Sequence, residues 1–304
     1  MSLLKEEITH LLKVIKTASK ITEWLRANNI IQYEKVDRSP VTLADYASQY
    51  YIINKLKELF PSDKIIAEES KSSQLISDDI TLLNQCFSSL DLPQPKDFKN
   101  LLNYRGMESN RIWTIDPIDG TKGFIENSWY AIGIGLLIEN QVKFSLISIP
   151  NYNGEMKIYK AINGNGAEVS SNFIDFNPIN VSKINNLNQS KVCHSLHHDN
   201  DTTKKFRELA HIKINKPMES MAKFCEVASG NFDLYIRHIK NYKPKIWDYC
   251  PGDLLVREAG GKVTDLNGDP LIYKDGRLDL PTPGLIASNG LLHERSLDTI
   301  NSII

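Results

Sequence analysis

The sequence predicts a mixed fold, α+β in its first part and α/β in its second, on three observations. Between residues 131 and 170, four short apolar runs are separated by hairpin-type dipeptides, the pattern of an antiparallel meander. Beyond about residue 190, short apolar runs alternate with helical segments, as in a parallel sheet. Ahead of both, two long segments place apolar residues at helical spacing. The chain has 304 residues, 41% hydrophobic and 24% charged, which is enough apolar surface for a core and unlike a disordered composition. We divide it into two units, 1–177 and 178–304.

The first helix carries Leu4, Ile8, Leu11, Ile15 and Ala18 on one face. A second runs from Thr42, its cap, to Leu59, with Pro61 just past its end and Asp45 in its first turn. Lys64 to Ala67 reads as a strand that runs into Glu68 and Glu69. A helix from Ile76 to Ser89 and a loop with prolines at 93 and 95 follow. Arg111 to Ile115 reads as a buried strand ending in Asp116-Pro117-Ile118-Asp119-Gly120-Thr121. The meander comprises Ala131–Glu139, Val142–Ile149, Met156–Ala161 and Ala167–Val169, with turns at Glu139-Asn140, Asn153-Gly154 and Asn163-Gly164. Asn172 to Lys183 crosses into the second unit. There we expect strands at Lys191–His194, Ile212–Ile214, Leu234–Arg237, Lys262–Thr264 and Leu285–Ala287. Helices fall at Asp201–Ala210, Ala222–Ala228, from about Trp247 to Ala259, and at the end of the chain.

Composition excludes several functions. Lys and Arg number 36 against 37 Asp and Glu, so no global field draws nucleic acid or an anionic membrane. The longest apolar run, Ala131 to Ile138, is too short to cross a bilayer. No signal-peptide core precedes the first helix, and the four cysteines are scattered without a C-x-x-C pair, so we expect a cytoplasmic protein with reduced thiols.

The chemistry concentrates in Asp116-Pro117-Ile118-Asp119-Gly120-Thr121. Two carboxylates three residues apart across a stiff proline turn can converge on one hard cation, with the Ile118 carbonyl as a third oxygen. Gly120 and Thr121 then offer unhindered N–H groups to a phosphate. Each feature also has a plain structural use. D-P-x-D-G-T suits a tight turn, Glu68-Glu69 a solvated pair, and Asp248 a helix cap.

Four stretches in order carry a resemblance: Val41-Thr42-Leu43-Ala44-Asp45, Ala67-Glu68-Glu69-Ser70, Trp113-Thr114-Ile115-Asp116-Pro117-Ile118-Asp119-Gly120-Thr121, and Trp247-Asp248 followed by Glu258-Ala259-Gly260-Gly261. From about Val41 to the last helix the chain resembles the inositol monophosphatase superfamily. Lys122-Gly123-Phe124, Ser220-x-x-Lys223, Asp233-Leu234-Tyr235-Ile236-Arg237 and Lys245-Ile246-Trp247-Asp248 are most similar to its 3'(2'),5'-bisphosphate nucleotidase branch. The resemblance implies a layered α-β-α-β-α sandwich with the active site between the two units. It implies two or three Mg²⁺ ions held by Glu68, Asp116, the Ile118 carbonyl, Asp119 and Asp248. It also implies inhibition by Li⁺. Thr121 and either Asp45 or Glu69 would orient the attacking water. Gly120, Thr121, Ser220, Lys223, Arg237 and Asp248 would face the substrate. His197, in Ser195-Leu196-His197-His198-Asp199, matches a family Ser-His segment near the nucleotide, with His194 and His198 beside it.

The expected reaction is metal-assisted, in-line hydrolysis of the 3'-phosphate of adenosine 3',5'-bisphosphate to AMP, with 3'-phosphoadenylyl sulfate as a second candidate. An inositol mono- or polyphosphate 1-phosphatase would share the same acidic motifs. A catalytically silent ligand-binding protein on this fold is the alternative of another class. A small-molecule nucleotide bisphosphate is the expected partner, with no nucleic acid and no membrane, and both a monomer and a homodimer stay open.

Overall fold

The computed structural model describes residues 3–69, 75–239, 244–274 and 277–304. Ser70 and part of the basic loop after Arg237 lie outside the described residues. Helix α1 (Lys5–Asn28) buries Leu11, Ile15 and Ala18 of the face its spacing predicts and continues it with Ile21 and Leu25, whereas Leu4 precedes the helix and is exposed. A small hairpin of β1 (Gln32–Glu34) and β2 (Pro40–Thr42) leads into α2 (Leu43–Leu59). The first sheet is built from β3 (Lys64–Ala67), β4 (Arg111–Asp119), β5 (Ala131–Ile138), β6 (Gln141–Tyr152), β7 (Glu155–Ile162), β8 (Ala167–Ser170) and β9 (Asn177–Ile179), in that order. Only β3 and β4 pair in parallel; the rest is the expected meander. Its tight turns carry left-handed residues, Glu139 with Asn140 and Asn153 with Gly154, as two-residue hairpins of this kind require. Helices α3 (Ser77–Ser89), α4 (Phe98–Leu102) and α5 (Thr121–Ile125) fill the connections before and after β4.

The second sheet has the order β11-β10-β12-β14-β13, from β10 (Lys191–Ser195), β11 (Ile214–Met218), β12 (Leu234–His238), β13 (Lys262–Asp265) and β14 (Gly284–Ser288). Helices α6 (Asp201–Leu209), α7 (Ala222–Ala228), α8 (Ile246–Glu258) and α9 (His293–Asn301) complete the chain.

Three apolar cores stack these elements into five layers. One core joins Leu11, Ile15 and Ile53 of α1 and α2 to Trp113, Ile134 and Phe144 on one face of the first sheet. A second joins the opposite face, Ile112, Leu137 and Ile147, through Phe224 and Leu255 of α7 and α8, to Tyr235 and Leu285 of the second sheet. A third packs Phe206 of α6 and Ile300 of α9 on the far face. The order is helix, sheet, helix, sheet, helix. Gly133 and Gly135 on β5 let the central helix layer close on the sheet, because a Cβ there would stand 2.5 Å from Met221 and 2.7 Å from Cys250 Sγ.

Four expectations are corrected. The strand placed at Ile212–Ile214 lies at Ile214–Met218, where only Met218 is buried; it is an edge strand, so apolarity does not mark it. The second sheet is mixed, since β14 runs antiparallel to both β12 and β13. The strand expected to stop at Ile115 continues to Asp119 with a register shift between Asp116 and Asp119. The boundary at residue 177 falls inside β9, which pairs with β8, so the first sheet reaches Ile179.

His293 is buried at the start of α9, its Nε2 2.9 Å from Thr264 Oγ1 on β13 and its Nδ1 2.8 Å from Ser288 Oγ on β14. Burial, then the nearby Lys262, pushes its pKa down to about 4. An unfolded chain would bind that proton near pH 6.5, so this contribution to stability is complete above pH 6.5 and is lost as pH falls toward 4. Urea unfolding of His293→Gln is expected to lose stability less steeply than wild type between pH 7 and 4. Parallel curves would contradict this.

Candidate active site

The site forms where β3, β4 and α2 of the first unit meet the β11–α7 turn, β12 and α8 of the second. Thr42 caps α2: Asp45 N–H donates to Thr42 Oγ1 at 3.4 Å, and Thr42 N–H and Oγ1 donate back to Asp45 Oδ2 at 2.7 and 2.6 Å. The sequence T-x-x-D thus fixes one oxygen of the Asp45 carboxylate with two donors. Its other oxygen accepts from Thr121 Oγ1 at 3.2 Å, and that hydroxyl also stands 3.2 Å from the Ile118 carbonyl. Further along α2, Gln49 holds the backbone of Glu69 through both ends of its amide, and Ser48 Oγ donates to the Pro117 carbonyl at 3.1 Å. One helix therefore positions both acidic loops.

The carboxylates gather where the strands end. Asp116 is buried, and its carboxyl is held well above the usual range by burial, then by Glu68, Asp119 and Asp248. Burial and Asp248 push Asp119 up to about 7; Lys223 and Arg237 oppose the shift. Asp45 is pushed up to about 6, chiefly by burial. Glu69 is likewise raised, first by burial and then by Glu68. Asp248 is the third residue of α8 rather than its cap, and its Oδ2 accepts from Lys245 N–H at 3.3 Å.

This crowd of like charge needs a cation. The donors are all oxygens, the set hard divalent cations take. Asp116 Oδ1 is buried with no hydrogen-bond partner among the described residues, an acceptor a metal ion would satisfy. Among the described residues no three Asp, Glu, His or Cys groups stand at ligating spacing around one point. Lys35 supplies a tethered cation instead: its Nζ donates to Glu68 Oε1 at 2.7 Å and Glu69 Oε1 at 2.5 Å. Against burial, which opposes the charge, these carboxylates raise the ammonium's pKa.

A cavity of about 370 Å³ opens beside the cluster. Glu68, Asp119, Gly120, Thr121, Ser220, Lys223, Arg237 and Asp248 line it, whereas Asp45, Glu69, Asp116 and Ile118 stand behind its wall. Gly120, with φ of 84°, is where the units touch: a Cβ there would meet Ser220 Cβ at 3.2 Å. Asp119 also accepts from the Met221 N–H, which ties the end of β4 to α7. Lys223 is buried in the cavity wall with Nζ 3.3 Å from the Met218 carbonyl, and burial lowers its pKa.

His197 is set apart from these. It lines a neighbouring cavity, with Nε2 3.3 Å from Glu126 Oε1 and Nδ1 3.0 Å from Glu219 Oε1. His198 and Ser195 line the main cavity in its place. Sequence reasoning also missed Lys35, Arg38 and Glu219. Asp37-Arg38-Ser39-Pro40, a turn sequence directly ahead of Val41 to Asp45, was the available signal for Arg38.

A family model described as the inositol monophosphatase family matches residues 4–304. A 3'(2'),5'-bisphosphate nucleotidase of Emericella nidulans is 29% identical over 318 residues, covering 89% of this chain and 90% of that protein. One from Oryza sativa is 34% identical over 313 residues, covering 89% of this chain and 86% of its own. Among solved structures, the extragenic suppressor protein suhB from Bartonella henselae superposes with a TM-score of 0.74 at 20% identity, covering 99% of this chain and all of the other. Thermotoga maritima IMPase gives 0.72 at 22% identity, covering 98% of each chain. No helix among the described residues is long and apolar enough to cross a membrane. With its five layers, its acidic cluster at the strand ends and a family match over nearly its whole length, the chain belongs to the inositol monophosphatase family.

Proposed function

We propose that this chain is a Mg²⁺-dependent phosphomonoesterase that removes the 3'-phosphate of adenosine 3',5'-bisphosphate, giving AMP and phosphate, with 3'-phosphoadenylyl sulfate as a second substrate. The observation that carries this is one cavity lined by carboxylates, Glu68, Asp119 and Asp248, and by the cations Lys223 and Arg237, which act on Asp119. The carboxylates suit cations and a scissile phosphate; Lys223 and Arg237 suit a second phosphate that an inositol monophosphate lacks. Relatives 28 to 34% identical and named 3'(2'),5'-bisphosphate nucleotidase support the same reading.

Glu68, Asp116, the Ile118 carbonyl, Asp119 and Asp248 would hold the two or three metal ions. When bound, Mg²⁺ neutralises charge on the phosphoryl and leaving oxygens. The chain's own residues do the rest. Thr121 Oγ1, committed as a donor toward Asp45, keeps lone pairs to orient an attacking water, and Asp45 is the acceptor behind it. Of the two carboxylates the sequence left open for this role, Asp45 is favoured because Glu69 is tied to Lys35. Gly120 lets the substrate's phosphate approach the backbone, and Ser220, Lys223 and Arg237 hold the nucleotide.

All four cysteines are buried, and burial raises the thiol pKa of each, so none is offered as a nucleophile. Water attacks directly. The test is phosphate release with Mg²⁺ from adenosine 3',5'-bisphosphate, inositol 1-phosphate, inositol bisphosphates and fructose 1,6-bisphosphate. The nucleotide is expected to give the highest kcat/KM; a strong preference for inositol 1-phosphate would overturn the assignment.

A further inference from the structure

A second cavity of about 580 Å³ adjoins the first and shares Arg38, Pro40 and Lys122 with it. Arg38 sits in the turn between β1 and β2 with φ of 64°, its N–H donating to the Lys35 carbonyl at 2.9 Å. That left-handed conformation suits glycine or asparagine and disfavours a long side chain. The turn closes without the side chain at position 38, the Lys35 N–H donating to the Ser39 carbonyl at 2.8 Å and the Ser39 N–H and Oγ donating to Asp37 Oδ1 at 3.1 and 2.7 Å. The backbone therefore gives no reason for arginine here, and a strained residue beside a ligand cavity points to its side chain. Arg38 and Lys122 are both exposed, and neither forms an ion pair among the described residues.

Beyond this two-cation junction the wall changes character. Tyr33 and Ile125 are apolar surfaces, Gln32 offers an amide, His197 is an imidazole held between Glu126 and Glu219, and Glu34 and Glu126 are carboxylates. Such a wall repels a further anion and accepts an uncharged, hydrogen-bonding group.

We propose that the two cavities hold one ligand, a 3'-phosphorylated nucleoside 5'-diphosphate esterified to an uncharged arm. This rests on the phosphatase reading above and extends its substrate class. Lys223 and Arg237 hold the first 5'-phosphate, Arg38 and Lys122 the second, and the arm lies in the second cavity. Chemistry stays at the 3'-phosphate. The water oxygen bonds to its phosphorus, the bond from phosphorus to the 3'-oxygen breaks, and that oxygen leaves with a proton from the water. The diphosphate is untouched.

Coenzyme A, a 3'-phosphoadenosine 5'-diphosphate with a neutral amide arm, is the probe. Phosphate release from it and from adenosine 3',5'-bisphosphate is compared in wild type and Arg38→Asn. Asparagine accepts the left-handed turn, so the Tm of the variant is expected to hold or rise. Wild type is expected to turn over coenzyme A, and Arg38→Asn to lower its kcat/KM about tenfold relative to the bisphosphate, the loss of one charge-assisted contact. Ile125→Trp, which fills the second cavity, should lower the same ratio. The proposal is overturned if coenzyme A neither reacts nor competes, if both substrates lose equally, if Ile125→Trp leaves the ratio unchanged, or if Arg38→Asn lowers the Tm. Failure with coenzyme A alone leaves the phosphatase reading standing; failure with both substrates removes that reading and this one together.

Discussion

Asp116→Asn is expected to lower kcat for phosphate release on the order of 10³-fold, the loss of several kcal/mol of charge stabilisation. The substitution keeps the shape of the side chain and removes its charge. Asp116 is buried in the cluster, with Glu68, Asp119 and Asp248 all raising its carboxyl pKa after burial has done so. In the metal-free protein that charge is a liability, so the variant measured in EDTA should have a Tm at least equal to wild type. Calorimetric titration with Mg²⁺ should show weakened binding. Full Mg²⁺-dependent turnover by Asp116→Asn would show that the cluster does not hold the catalytic cation. A fall in both turnover and metal-free Tm would instead mark Asp116 as a folding residue.

Arg237→Met is expected to raise KM for adenosine 3',5'-bisphosphate about 30- to 100-fold, the value of a charge-assisted contact to phosphate. Inositol 1-phosphate, which has no second phosphate, should be affected far less. Methionine keeps an unbranched stem where the guanidinium carbon stands 5.8 Å from the Tyr249 ring centroid, so packing is largely retained. Arg237 also opposes the upward shift of the Asp119 carboxyl. Its loss acts on the acidic cluster as well as on the second phosphate, and the inositol arm separates the two. Equal losses on both substrates would mean that Arg237 serves the metal cluster and not the second phosphate.

Asp45, Asp116 and Asp119 were legible because their surroundings impose local sequence: T-x-x-D builds a capping box, and D-P-x-D-G-T combines a bulged strand end with a glycine at close approach, whereas Glu68 and Asp248 entered as candidate ligands only through the resemblance. Helix α1, α2 and the meander were legible for a similar reason, since periodicity and turn dipeptides are properties of neighbours in the chain. The β11 edge strand was misplaced because its exposed residues carry no period. His197 and His198 show the limit more sharply. Adjacent in sequence, they line different cavities.

The sequence by itself determined the first two helices, the meander, the Thr42 cap and the Asp116-to-Asp119 turn, whereas the layered sandwich and the wider acidic set came with the family resemblance. Only the tertiary structure decided that Lys35 bridges Glu68 and Glu69, that Thr121 pairs with Asp45 rather than Glu69, and that Arg38 stands between two cavities. Local patterns report on residues within a few positions of one another. These contacts join groups 33 to 76 positions apart, which only the packing of hairpin, helix and strand ends brings within reach.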